Sequence, residues 1–569
     1  MLSAVPTEFL QQKRVAYFSM EVAIAEDIPT YAGGLGILAG DTVRSSADLG
    51  LPLVTVTLVS RAGYFRQSID SEGQQQEQPD PWQPSQHARR LDARVCITIE
   101  NQPVWVGGWL YVVQSHLGGR QPVVLLDTDL AENRPEDRAL TDTLYGGDAS
   151  YRLKQEIVLG IGGARLLHAL GFRIADYHMN EGHAALLTLE LLRRNSYPSD
   201  EVRPGEPLYD VPRVRDQCNF TTHTPVEAGH DCFPYELVYR LLDDMIDRET
   251  LRKYGGNDAL NLTRLALNLS ERINGVAKRH AETSRAMFPG YQVMAITNGV
   301  HPWTWTSTPF AKLYDQYLPG WCHEPEMLVR ADCCIPSEAI WKAHQQNKQS
   351  LIDDVRQRTG VVLDIDKPIF GYARRMTAYK RPELLFTDLD ILRNIAKQSP
   401  FQLVMAGKAH PKDASGKDLI KRIHRDIGAL QGSVVAAFLP NYDMAVAKKL
   451  VAGCDVWLNT PLPPLEASGT SGMKAAFNGV PNLSVLDGWW AEGCIEGVTG
   501  WAIGSADPVR DHDKDAATLY KKMKELVLPL YNNDRNRWIA IMQGAIAKNA
   551  SFFNSHRMMR RYASDAYLR

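Results

Sequence analysis

This 569-residue chain contains no Cys-x-x-Cys pair, no apolar run long enough to span a bilayer and no surplus of basic charge. Its eight cysteines stand at 96, 218, 232, 322, 333, 334, 454 and 494, several of them inside apolar segments. That placement reads as buried free thiols in a reducing compartment and argues against a disulfide framework or a zinc site. Nowhere do about 18 uncharged apolar residues follow one another, and residues 1–14 hold no apolar run ahead of a cleavage site, so neither a membrane span nor a secretory signal is expected. A net charge of −3 lacks the basic excess of nucleic-acid and membrane-surface proteins. Any basic site is therefore local, and a cytoplasmic enzyme is the default expectation.

What the chain does have is 44% hydrophobic and 23% charged residues, the balance of a globular protein of two or three domains with a large core. Short apolar runs rich in β-branched residues recur at 15–18, 53–59, 123–126, 293–296, 369–372, 403–405, 434–438, 456–458 and 483–486. Helical spacing at 151–170, 234–246, 382–395 and 442–452 alternates with them, the pattern of parallel α/β units. We therefore expect an α/β protein of two doubly wound, Rossmann-like lobes: residues 1–305, and residues 306–569 with a strand at 368–372 opening the second. The stretch 515–569 reads mostly as helix and is free to pack back across the first lobe. The expected site is a cleft between the lobes, beyond the strand C-termini.

Five motifs carry chemistry. In residues 459–476 the small polar run Ser468-Gly469-Thr470-Ser471-Gly472 suits a phosphate, and the amine of Lys474 suits a Schiff base with a cofactor aldehyde, which together spell a pyridoxal phosphate enzyme. Glu466 is either an acceptor for sugar hydroxyls or a helix-start carboxylate. The loop Tyr31-Ala32-Gly33-Gly34-Leu35-Gly36 follows a strand and precedes a helix, where an anion site and an ordinary glycine turn both fit. In Arg374-Arg375-Met376-Thr377-Ala378-Tyr379-Lys380-Arg381 four cations follow a strand directly, which favours phosphate dianions over a solvated charge run. His178-Met179-Asn180-Glu181-Gly182-His183 is no zinc motif: its histidines are five apart, roughly 500° of helix, and so off one face. His223, in Thr221-Thr222-His223-Thr224-Pro225, belongs to a capped turn or to a polyol site.

Taken in order, these segments, with Asn274-Gly275-Val276-Ala277, Thr297-Asn298-Gly299, Gly407-Lys408-Ala409 and Asn441-Tyr442, resemble the α-glucan phosphorylases (glycogen, starch and maltodextrin phosphorylases), in their short bacterial and archaeal form. The resemblance implies a GT-B architecture, with pyridoxal 5′-phosphate on Lys474, that cleaves the terminal α-1,4 bond of a glucan with inorganic phosphate and retention of configuration. It assigns Arg375, Lys380 and the backbone of Gly34 to the substrate phosphate, and Arg374, Thr470, Ser471 and Tyr442 to the cofactor. His223, Asn298, Tyr379, Glu466, Leu35 and residues Ala467, Ser468 and Gly469 go to the terminal glucose, with Glu181 and His183 also on the substrate side. No metal is implied, the partners are glucan and phosphate rather than nucleic acid or membrane, and a homodimer is favoured.

This chain departs from the family pattern at Thr377 and Ala378, where better-known members carry a histidine and an acid. It departs again at Ala32 and Gly472, each in place of asparagine, and at Asp443, in place of arginine. The glycine loop begins at residue 33, so the N-terminal segment that carries phosphorylation and nucleotide control in animal enzymes is not expected, nor is control of that type. Two rival readings are a nucleotide-sugar glucan synthase, which usually places a lysine directly before Gly-Gly-Leu and does not need Lys474, and an inactive glucan-binding homologue.

Overall fold

Strands that are apolar on both faces need cover on both sides, and Ile369–Ala373, Gln402–Ala406 and Val456–Asn459 are buried at every position. The computed structural model, which describes residues 4–198, 200–226, 229–242, 245–504 and 511–567, places them at the centre of a six-stranded parallel sheet. Its spatial order is Val435–Leu439, Gln402–Ala406, Ile369–Ala373, Val456–Asn459, Asn482–Val485 and Gly500–Ile503. In chain order that is 3-2-1-4-5-6, so the direction of winding reverses between Ile369–Ala373 and Val456–Asn459 and opens a crevice at their carboxyl ends.

The first 300 residues build a ten-stranded sheet. Its parallel part runs Met294–Ala295, Arg272–Gly275, Cys218–Thr221, Ile174–Asn180, Arg14–Ser19, Leu53–Leu58 and Arg120–Asp127. The edge is antiparallel, made by the long strand Gln102–Gln114 with Arg89–Arg90 and Val95–Ile99. Winding reverses at Arg14–Ser19, which lies between Leu53–Leu58 and Ile174–Asn180.

All nine apolar runs read from the sequence lie in strands, within a residue or two at their ends. The helical reading is corrected in two places. Residues 382–395 begin as the tight turn Pro382–Phe386, and the helix proper is Leu389–Gln398, where Asp388 accepts from two N-terminal amides. Residues 151–170 form Ala149–Ile157 and Gly163–Ala169, joined by a wider turn at 158–162.

The C-terminal helix Ser555–Tyr562 lies against Gly34–Asp48 of the first sheet's half, with Ser555 Oγ 2.5 Å from Ser45 Oγ. Beyond it, Tyr567 Oη meets His178 Nδ1 at 2.5 Å, and Tyr562 Oη accepts from Asn274. Asp48 Oδ2 sits between two buried imidazoles, His301 Nε2 at 2.7 Å and His556 Nε2 at 2.8 Å, so one carboxylate ties the helix end, the crossover segment and the chain's last helices together.

The hairpin Arg66–Ile69 and Gln75–Gln78 reaches across to the second sheet. There Gln67 Nε2 donates to Gly407 O at 2.8 Å and Gln75 Nε2 to Ala409 O at 2.9 Å. This strap therefore ties the half built on the first sheet to the second sheet.

Candidate functional site

Arg374 and Arg375 leave the carboxyl end of Ile369–Ala373, and Lys380 returns to the same crevice because Arg381 turns the chain in a left-handed conformation, φ +45°. The buried Arg381 side chain holds that turn through Thr460 O at 3.0 Å, Pro461 O at 2.8 Å and Asp515 Oδ2 at 2.8 Å. Truncating it strands a buried carboxylate and two carbonyls. Arg381→Ala is expected to cost about 3–5 kcal/mol, read as a fall in the urea midpoint, and to misplace Lys380.

Lys380 Nζ lies 2.8 Å from both oxygens of Glu466, and Arg374 Nη2 donates to Glu466 Oε2. Burial alone would push the Glu466 carboxyl up, but the two cations outweigh it and bring it down to about 2. The rest of the Arg374 guanidinium, Nε and Nη1, is buried without a partner among the described residues. Ser468 Oγ, Thr377 Oγ1 and Asn298 Oδ1 are likewise buried and unsatisfied. Asn298 Oδ1 is an acceptor and suits a hydroxyl, whereas unpaired buried donors such as the two on Arg374, which shares Glu466 with Lys380, cost free energy that a bound anion would recover.

Lys474 lies in the short helix Ser471–Ala476 with its Nζ 4.0 Å from the ring centroid of Trp305, whose indole donates to Asp41 Oδ2 at 2.8 Å. Burial brings the Lys474 amine down to about 8, against an opposing pull from Asp41. The shift raises the neutral fraction, the form that captures an aldehyde. Ser471 Oγ accepts from the Trp457 indole at 3.1 Å, and Tyr442 is pushed up by burial with Arg374 nearby. These residues fit the phosphate and aldehyde of pyridoxal phosphate: the free guanidinium donors of Arg374 suit the one, and a buried amine whose pKa is lowered suits the other.

The glycine loop enters from the opposite side. The Arg375 guanidinium lies against Gly33, where even a Cβ would come within 3.2 Å of Nη2. Glu21, which the sequence reading overlooked, accepts from Ala32 N at 2.6 Å and Gly33 N at 3.0 Å, while Tyr145 Oη donates to its other oxygen at 3.0 Å. With the loop's outer amides taken, those of Gly34 and Leu35 remain at the first turn of Gly34–Asp48, where helix amides have no internal partner. The available signal was position: Glu21 follows the central strand at the point where winding reverses.

His223 approaches from the first sheet. Asn180 Nδ2 donates to Ser19 Oγ at 3.0 Å, so its Oδ1 faces His223 Nε2 at 2.6 Å and that nitrogen carries the proton. Burial, with His280, His178 and His183 close by, pushes His223 down to about 3, leaving a neutral ring suited to a sugar hydroxyl. Glu181 accepts from Gly182 N, His223 N and Thr224 Oγ1, and so holds His223 in place. His183 Nε2 faces Asp231 at 3.4 Å. Tyr379 carries Lys380 Nζ over its ring at 4.6 Å, and Ser468 O accepts from Trp489 N at 2.8 Å.

The departures also find physical reasons. Asp443 caps the helix Met444–Gly453, accepting from Val446 N at 2.8 Å, and so has become a local structural residue. At Gly472 a Cβ would stand 2.2 Å from Asn482 Oδ1 and 2.7 Å from Trp489 Cζ2; those side chains fill the space. Gly472→Asn, toward the family's usual residue, is therefore expected to lower the melting temperature by an overpacking cost of about 1–3 kcal/mol rather than to improve cofactor retention.

A parallel α/β protein that gathers three cations, a paired acid and a buried lysine where its sheets reverse is one that handles phosphate-bearing ligands. The chain belongs to the carbohydrate phosphorylase family. Residues 233–494 match that family's model. Over 98% of its length the chain is 38% identical to the maltodextrin phosphorylase of Thermococcus litoralis, covering 70% of that protein. It is also 37% identical to a glycogen phosphorylase of Mycobacterium tuberculosis over 97% of this chain and 70% of the other, and 34% identical to that of Aquifex aeolicus over 98% and 86%.

Proposed function

We propose that this chain is an α-1,4-glucan phosphorylase that works with pyridoxal 5′-phosphate bound at Lys474. One observation carries the reading: Arg374, with two unpaired buried donors, and Lys380 converge on Glu466, at the start of the short loop that leads to the buried Lys474. The reading includes a GT-B arrangement of residues 1–305 and 306–569, a cytoplasmic location and a homodimer.

In this reading Lys380, Arg375 and the Gly34 amide hold inorganic phosphate, while the free donors of Arg374, with Thr470, Ser471 and Tyr442, hold the cofactor phosphate. Two dianions brought this close repel, and the three cations offset that repulsion where water no longer screens it. When bound, the cofactor supplies a phosphate that relays protons to and from the substrate phosphate. His223, Asn298, Tyr379, Glu466 and the backbone of residues 467–469 grip the terminal glucose. The substrate phosphate gives its proton to the glycosidic oxygen as the C1–O4 bond breaks, then bonds C1 from the same face, yielding α-glucose 1-phosphate and a shortened glucan. The strap of Gln67 and Gln75 over the crevice keeps water from competing.

The test is direct. Purified protein shows a near-ultraviolet cofactor band and releases glucose 1-phosphate from maltodextrin only when phosphate is present; colourless protein with no phosphate-dependent release overturns the reading.

A further inference from the structure

Behind the Glu466 loop lies a carboxylate that the chemistry above does not use. Asp487 follows the strand Asn482–Val485 and is 2% exposed. Its Oδ2 accepts from Glu466 N at 2.9 Å, and Gly488 N also donates to this carboxylate. The next two residues complete a cradle. Trp489 N donates to Ser468 O at 2.8 Å, and Gly488 takes φ +53° with its Cα so close to the loop that a Cβ would lie 2.4 Å from Ser468 O.

The other oxygen of Asp487 has no hydrogen-bond partner among the described residues. It faces Arg279 of the helix Lys278–Met287, whose Nε stands 3.6 Å away and whose Nη1 donates to Leu486 O at 3.4 Å. That helix belongs to the half built on the first sheet, so the contact crosses the molecule. Beside it, Thr297 Oγ1 and Lys278 N both donate to Glu492, closing the same seam.

We infer that Asp487 is a positioning residue for the terminal-sugar site, one that fixes the Glu466–Gly469 loop and, through Arg279, ties that loop to the opposing half of the molecule. The inference rests on the phosphorylase reading for the identity of the sugar. One oxygen is spent on the loop's backbone, and the second stands just beyond hydrogen-bond reach of Arg279, so a shift of well under an ångström between the halves completes the link. Burial supports this, since it pushes the Asp487 carboxyl up to about 6, with Glu466 adding to that push, while the loop amides and Arg279 oppose it. A charge kept at that cost is one that closure onto Arg279 would compensate.

The experiment measures maltodextrin binding by titration calorimetry alongside kinetics, in Asp487→Asn, Arg279→Ala and the double variant. Each single variant is expected to weaken maltodextrin binding about tenfold, the value of a charge-assisted hydrogen bond. The KM for phosphate and the cofactor band stay at wild-type values, and the double variant binds no worse than either single one. Arg279 is partly exposed, so Arg279→Ala keeps the test alive if Asp487→Asn does not fold. Wild-type affinity in both single variants, an equal loss for phosphate, or additive losses in the double variant overturns the inference. Wild-type protein that binds maltodextrin without phosphorolysis defeats the enzymatic reading alone, and protein that binds none defeats both.

Discussion

Lys474→Ala is expected to give a folded, colourless protein whose phosphate-dependent release of glucose 1-phosphate falls to background, a loss of at least about 10²–10⁴-fold, the range that a positioned proton donor supplies. Absorbance and a coupled glucose 1-phosphate assay check it. The side chain is the only amine of the helix Ser471–Ala476, and burial against the Trp305 ring shifts it toward the neutral form, down to about 8. The variant keeps its fold because, among the described residues, no carboxylate pairs directly with Nζ, so truncation strands no charge there. An unchanged melting temperature in cofactor-free protein separates loss of the tether from loss of structure; retention of phosphorolysis by Lys474→Ala removes the cofactor from the reading.

The second large effect is expected at Glu466. Glu466→Gln leaves Arg374 and Lys380 without their counter-charge, and kcat/KM is expected to fall about 10²–10³-fold, as when a preorganised charge is removed from an active site. The pH signature has a definite sign. The folded-state carboxyl is held down near 2 against an ordinary value of 4.5, so its contribution to stability is fully present above about pH 4.5 and is lost as pH falls toward 2. That contribution is about 3 kcal/mol by linkage. Acid unfolding followed by circular dichroism should show a shallower loss between pH 4.5 and 2 in Glu466→Gln than in the wild-type protein. Added phosphate should raise the variant's melting temperature more than the wild type's, because an anion then neutralises the exposed pair of cations. Parallel acid limbs in the two proteins would sink this account of Glu466.

Much of this site can be read in the sequence, because its residues come in short contiguous motifs that sit at strand ends. Arg374, Arg375 and Lys380 follow an apolar run, and that alone places them at the carboxyl edge of a parallel strand. Glu21 escapes notice because one acid after a strand is common, and nothing local says that its carboxylate will meet the amides of Ala32 and Gly33. Glu181 shows the same limit. It sits in a motif beside His183, yet its left-handed backbone, φ +72°, turns its carboxylate back onto the His223 turn. The strand Gln102–Gln114, paired on both sides, is absent from the runs read in the sequence, since its Gly107-Gly108 pair breaks the alternation that marks a strand.

The sequence by itself determined the α/β alternation, the strand-end motifs, and the lysine and cations available for phosphate chemistry, because these depend on composition and spacing over a few residues. The tertiary structure decided which of them meet. Sheet order brings Glu466 to Arg374 across 92 residues, and the seam between the two halves sets Lys474 on Trp305 and Asp487 before Arg279. Such pairings are settled by how parallel strands wind and reverse, and by which buried polar groups find partners. Both are properties of the packed chain that no local stretch of it encodes.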